Sequence, residues 1–271
     1  KPTRYDGPRG AFRMESVTLA YEDGIAVLTL NRPDSLNAMS QAMMTSLEHQ
    51  LVHLATLHGL RVVILTGAGR AFSAGGDLLE FEAALNTGKQ TLLDYLRYNM
   101  GVLQLLEDLP VPVIAAINGT AVAGGLETLL CCDILLAAEG AMIGDGHTRY
   151  GVVPAAGATV RLSERISPSR ASELFYTARL VDAATLKDWG LINEVVAPKQ
   201  LMSRALEIAR DISRRSPEAV AHIKFLTGSR SRSPDRQSRI AAELERFALH
   251  VDGSDLAKGL AAFKAKRPAQ Y

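Results

Sequence analysis

Apolar positions follow two alternating rhythms along the chain. Residues 25–30 (IAVLTL) and 61–66 (RVVILT) are short β-branched and aliphatic runs closed by turn or polar residues, which predicts buried strands. Between them, Met43, Leu47, Leu51 and Leu54 recur at helical spacing behind Ser40, a side chain suited to capping a first turn. The rhythm then repeats, with a helix over 92–109, a strand over 113–117, a helix over 124–132 and a strand over 134–137. Repeated strand and helix units predict an α/β fold. After about Pro168 the pattern becomes helix following helix. Pro217 behind Ser216 marks one helix start, and an amphipathic pattern covers 234–266. A soft boundary therefore falls near residue 200, with a core over 14–200 and a helical region over 201–271. The apolar faces of that region need a cover, either the core or another subunit. Residues 1–13 lack the apolar run of a secretory leader and read as an extension before a start at Met14.

The longest run without a charged side chain, 109–126, reaches 18 positions, close to the length of a membrane span. Pro110, Pro112, Asn118, Gly119, Gly124 and Gly125 interrupt it, so it reads as strand, turn and helix start, not as a membrane segment. Thirty basic against 29 acidic residues leave a net charge of +1, which provides no global field for nucleic acid or anionic lipid. The two cysteines, Cys131 and Cys132, are adjacent in an apolar stretch and form no framework of pairs, which points to the reducing cytoplasm.

Two glycine-rich segments carry the candidate chemistry. GAGRAFSAGGDL (67–78) and NGTAVAGGLE (118–127) each follow a predicted strand and open a helix. Each corner gathers unpaired backbone N–H groups and the positive end of a helix beside glycines that admit a ligand. If both corners meet one carbonyl oxygen they form an oxyanion hole, worth about 3 to 4 kcal/mol per donor. Neither segment has the P-loop or dinucleotide pattern, and Ser73 lacks the G-x-S-x-G elbow of serine hydrolases.

These segments, with NRPDSLNAMS (31–40), PVPVIAAINGTAVAGGLETLLCCDI (110–134), GVVPAAGATVRL (151–162) and TLKDWGLINEVV (185–196), resemble the crotonase superfamily of enoyl-CoA hydratases and isomerases from about Val17 to the C-terminus. The resemblance implies a spiral of ββα units, a helical C-terminal region that makes a homotrimer or a dimer of trimers, and an acyl-CoA thioester as substrate. No tightly bound cofactor or metal is implied; coenzyme A enters as part of the substrate. The oxyanion donors of the family fall on the N–H groups of Gly76 and Gly124. Ala74, Gly75, Asp77, Leu78 and Gly125 are the neighbouring substrate-binding positions. The first of the family's two water-holding glutamates falls on Glu127.

The second falls on His147, in IGDGHTRYGVVP (143–154), and this is the main departure. Imidazole transfers protons near neutral pH but differs from a carboxylate in charge, reach and tautomer. If 143–147 is extended, Asp145 and His147 point to the same side and can pair. Around the coenzyme, Arg32-Pro33 is followed by Asp34 instead of the family's basic residue, leaving Arg32 as the phosphate partner. In the tail, Lys264, Lys266 and Arg267 stand where relatives reach the 3′-phosphate. Tyr95 and Tyr98, on the helix with Leu92, Leu96 and Leu103, are candidates to shape the acyl pocket, as are Arg149 and Tyr150. His49 and His53 lack the glutamate of a zinc motif, and His58, His222 and His250 have no constellation around them.

The leading expectation is an enoyl-CoA hydratase or isomerase that works through an oxyanion-stabilised enolate. A C–C bond hydrolase of a diketone or β-keto substrate using Asp145 and His147, a decarboxylase reaching the same enolate, and a catalytically inactive binding protein on the same fold are the alternatives.

Overall fold

The computed structural model describes residues 16–228, 247, 249, 253–265, 267 and 269–270. The extension over 1–13, most of the 234–266 pattern, His250, Lys266 and the side chain of Lys264 lie outside the described residues.

The larger sheet has six strands in the order β1 (Val17–Glu22), β2 (Ile25–Leu30), β3 (Val62–Gly67), β5 (Val113–Ile117), β7 (Ile134–Ala138) and β10 (Glu194–Val196). Its first pair is antiparallel and the rest run parallel. Strands of a parallel sheet are covered on both faces, so they read as continuous apolar runs, and every residue of β3 and β5 is buried. Alternation within those runs divides two cores. Val63, Leu65, Val113, Ala115 and Ile117 face the main core. Val62, Ile64, Ile114 and Ala116 face a smaller one closed by Leu201, Ala205 and Ala209, spaced at helical repeat on α8 (Leu201–Ser213). That helix, the first of the C-terminal region, thus covers the sheet itself.

A second sheet, β4 (Ala71–Ser73), β6 (Thr120–Val122), β8 (Met142–Gly144) and β9 (Val181–Asp182), carries the chain from the first sheet to the candidate site. Its strands are two or three residues long, too short for a period to show, and the sequence reading did not place them. Two strands, β9 and β10, also interrupt the region after Pro168 where an unbroken succession of helices was expected.

The helices fall close to expectation. In α1 (Gln41–Thr56), Ser40 Oγ accepts from the Met43 N–H at 3.2 Å, and Met43, Leu47, Leu51 and Leu54 are buried. Next come α2 (Leu78–Thr87), α3 (Lys89–Glu107), α4 (Gly124–Leu130), α5 (Ala158–Arg165), α6 (Pro168–Thr177) and α7 (Ala183–Asp188). Ser216 caps α9 (Pro217–Thr227), and α10 spans Asp255–Lys264. No helix among the described residues is long and apolar enough to cross a membrane.

Candidate active site

The two glycine corners meet. A methyl group built on Gly124 would lie 3.2 Å from the Gly76 nitrogen and 3.4 Å from the Gly75 carbonyl carbon, so the helix start of α4 abuts the turn after β4. Gly76 pairs with Met39 in a short parallel bridge, through Met39 N–H to Gly75 O at 2.8 Å and Asp77 N–H to Met39 O at 3.3 Å. In such a bridge the N–H of the central residue faces the other way. Gly124 opens its helix, where no carbonyl lies four residues back to receive its N–H. Neither amide donates to an acceptor among the described residues.

Local backbone chemistry produces this arrangement. Asn37 is fully buried; its Nδ2 donates to Ala68 O and Ala71 O, and its Oδ1 accepts from the Arg32 N–H. Asn118 bridges the same loop from the other corner, accepting from the Gly67 N–H and donating to Gly69 O. Ser73 Oγ donates to Asn37 O and accepts from the Gly75 N–H. Just before α4, Ala123 is wound to φ 52° and ψ −118°, a conformation that strains any residue with a side chain by about 1 to 3 kcal/mol. None of these four roles was legible in the sequence, where Ser73 and Asn118 stood out only as a serine without a hydrolase elbow and as a break in an apolar run, because side-chain bonds to distant backbone and a strained alanine leave no periodic signal.

The neighbouring glycines have a different task. At Gly75, with φ +91°, a methyl group would lie 2.7 Å from Val122 O, and at Gly125 it would strike Ser73 O. Both let backbone pack on backbone, whereas the corresponding direction from Gly76 is open. Asp77 and Arg32 form an ion pair at 3.3 Å, and Arg32 Nη1 also donates to Ala38 O at 2.7 Å, so this guanidinium braces the loop that carries Gly76. Ala74 donates its N–H to Leu36 O, and Leu78 is exposed at the start of α2.

Beside the glycine corner lies a chain of three ionisable groups. Glu127, on the first turn of α4, is 4% exposed, and its Oε1 accepts from the N–H groups of Ala156 at 2.8 Å and Ala158 at 3.4 Å. Its Oε2 is 4.0 Å from His147 Nε2. His147 Nδ1 is 2.9 Å from Oδ1 of Asp145, a fully buried carboxylate. Burial pushes the Glu127 carboxyl above its ordinary range, with His147 and the two amides pulling it back. For His147, burial opposes the charged form, but the hydrogen bond and charge of Asp145 and the charge of Glu127 outweigh it and raise the imidazole.

The Asp145–His147 pair is not built on an extended strand. β8 ends at Gly144, Gly146 turns left-handed at φ +72°, and His147 begins a short 3-10 helix over His147–Tyr150. The pair closes instead through a local turn in which Asp145 Oδ2 accepts from the His147 N–H at 3.2 Å. A side chain at position 146 would press on Val122 at 2.5 Å, so glycine is required there.

The remaining candidates separate. Tyr98 donates to Glu48 Oε2 at 2.6 Å and so ties α3 to α1. Tyr95 reaches Met39 O at 3.5 Å, next to the glycine corner, while Leu103 is buried in the core. Arg149 and Tyr150 are exposed. Among the described residues no group of three His, Cys, Asp or Glu side chains could hold a metal ion.

Known proteins match this architecture. The family model for enoyl-CoA hydratase/isomerase matches residues 20–271. A short-chain-enoyl-CoA hydratase of Clostridium acetobutylicum is 34% identical over 94% of this chain and 96% of its own length. A crotonyl-CoA hydratase of Syntrophomonas wolfei is 30% identical over 95% and 98%. The crystal structure of an enoyl-CoA hydratase from Bacillus anthracis superposes with a TM-score of 0.89 at 35% identity, covering 94% of this chain and 98% of the other. These relatives do not favour the C–C hydrolase or the inactive binding protein. With its two-sheet α/β spiral and these matches along nearly its whole length, the chain belongs to the enoyl-CoA hydratase/isomerase family of the crotonase superfamily.

Proposed function

We propose that this protein hydrates the double bond of a 2-enoyl-CoA thioester, with Glu127 and an Asp145-supported His147 in place of two glutamates. The observation that carries this reading is the 4.0 Å gap between Glu127 Oε2 and His147 Nε2. It is too long for a direct hydrogen bond. A water about 2.8 Å from each would see them at an angle of about 90°, near its own donor and acceptor directions.

In this mechanism the thioester oxygen sits on the Gly76 and Gly124 amides, which polarise the conjugated double bond. Glu127 Oε2 takes a proton from water as the water oxygen bonds to the β-carbon. The π electrons move into the enolate, whose oxygen the two amides hold. His147 Nε2–H then protonates the α-carbon, and a proton passing from Glu127 to His147 resets the pair. Asp145 accepts from Nδ1–H, which fixes the tautomer and steadies the imidazolium. The raised His147 suits a group that must carry a proton near neutral pH.

The proposed chemistry draws on no tightly bound cofactor and no metal. Arg32, Lys264 and Lys266 are proposed to meet the coenzyme phosphates, and assembly is proposed to be a homotrimer or a dimer of trimers, which light scattering on the eluted protein would test. The decisive assay incubates enoyl-CoA esters of varied chain length, and a cyclic diketone, with the enzyme and follows mass. Gain of one water with the acyl chain intact is expected. Constant mass with a moved double bond, or water gain with scission, would replace the reading by isomerase or hydrolase. Glu127→Gln should lose most turnover while retaining coenzyme A binding, and His147→Ala should lower turnover at least about tenfold, roughly 1.4 kcal/mol of barrier.

A further inference from the structure

Next to the loop that cradles Glu127, a guanidinium is held in a fixed place. Arg161 lies one turn into α5; its Nε and Nη2 donate to Glu107 Oε2 at 3.1 and 2.7 Å, and its Nη1 donates to Ala156 O at 2.7 Å. Ala156 is the residue whose own N–H is given to Glu127 Oε1. The loop is therefore held from both ends of one residue, with Arg161 on its carbonyl and Glu127 on its amide. Gly157, between the two amide donors Ala156 and Ala158, has φ +96°, and a methyl group there would strike Arg161 Nη1. The guanidinium fills the space that a side chain at 157 would need.

The cradle joins one loop amide, that of Ala156, to the first free N–H of α5, that of Ala158. Residues 151–157 contain no helix or strand, and Ala156 and Ala158 carry no side-chain chemistry. Glu107 is anchored near the C-terminal end of α3, so the pair ties the loop to a long helix of the core. Its guanidinium is planar and serves both acceptors at once, a geometry that an ammonium does not reproduce.

We propose that Arg161 is a positioning residue for catalysis: by holding Ala156 it sets the amide cradle that fixes Glu127 Oε1 and leaves Oε2 turned to His147. The inference rests on Glu127 acting as proposed above, yet its central claim concerns the carboxylate and can be read without turnover. The proton on Glu127 is confined to Oε2, since Oε1 already accepts two N–H groups. Loosening the cradle removes hydrogen bonds to the charged form, so the carboxyl should titrate higher.

The test compares wild type, Arg161→Met and Arg161→Lys, each with 13C-labelled glutamate; the Glu127 carboxyl signal is assigned by its loss in Glu127→Gln. In both variants the Glu127 midpoint should rise by about half a unit or more. With crotonyl-CoA, kcat should fall about tenfold or more, KM should change less than about threefold, and the acid limb of the kcat profile should move to higher pH. A folded Arg161→Met with an unmoved Glu127 midpoint overturns the inference, as does a loss of melting temperature with both pH readouts unmoved. Arg161→Lys behaving as wild type in both readouts also overturns it, by reducing Arg161 to a distant charge. Should Arg161→Met fail to fold, Arg161→Lys decides alone. If the wild type hydrates nothing but the Glu127 midpoint still moves in the variants, the cradle stands and the hydratase reading falls.

Discussion

Gly124 and Gly125 are neighbours in sequence, yet adding one methyl group to each should damage the protein in opposite ways. In Gly124→Ala the new carbon sits 3.2 Å from the Gly76 nitrogen and 3.3 Å from Met39 Sδ. Those contacts are tight, but the thioether is flexible, and Gly124 is not among the left-handed glycines that an alanine would strain. Stability should therefore stay within about 1 kcal/mol of wild type. The methyl group occupies the place where, in the proposed mechanism, the thioester oxygen approaches the Gly76 amide. Losing one oxyanion donor removes about 2.7 to 4 kcal/mol of barrier lowering, or a factor of about 10² to 10³ in kcat. In Gly125→Ala the methyl group meets Ser73 O, and lies 3.1 Å from Ser73 Cβ, on the short strand β4, where neither side can yield. Overpacking of this kind costs about 1 to 3 kcal/mol. Urea unfolding with steady-state hydration of crotonyl-CoA reads both quantities on each variant. The reasoning fails if folded Gly124→Ala retains kcat within about threefold of wild type, or if Gly125→Ala unfolds at the wild-type urea concentration.

Other predictions follow from the buried charges and caps. Because burial raises Glu127 in the folded protein, folding binds a proton more tightly than the unfolded chain does. Stability from this group is full below the unfolded carboxyl value and declines as pH rises through the folded one; Glu127→Gln, measured by thermal melting at pH 7, should be more stable than wild type while turning over far less. His147 is also raised, so its contribution is full below about 6.5 and is lost as pH climbs through the folded value. Asp145→Asn should weaken that decline in melting temperature above about pH 6.5, and shift the imidazole midpoint seen by NMR downward; an unmoved midpoint would deny Asp145 its role. Ser40→Ala removes the cap bond to Met43 and should destabilise by about 1 kcal/mol in urea unfolding.

The legible parts of the fold were those where burial repeats. Strands β2, β3, β5 and β7 are covered on both faces, and α1 carries four buried side chains at helical spacing, so composition alone marks them. The second sheet was hidden because its strands are shorter than any period, although it is what brings residues 73–76 beside 122–124. The site divides the same way. Glu127, Asp145 and His147 announce themselves as ionisable groups, but the turn at Gly146 that joins two of them follows from a left-handed glycine and not from strand alternation. Ala156, Ala158, Asn37 and Asn118 act through main-chain amides or side-chain carboxamides. Their roles depend on which carbonyl or N–H they face, and only a folded chain decides that.

In the proposed mechanism the electrophilic half of the centre is made of peptide groups. A mutation exchanges side chains and cannot delete an amide hydrogen, save by introducing proline. The power to stabilise a negative oxygen is thus inherited with the path of the chain itself. The partner half is ordinary side-chain chemistry and is free to drift, which gives a physical route to an imidazole where the family resemblance implies a second glutamate, with the proposed enolate trap kept. New reactions on this scaffold need only redirect the protons.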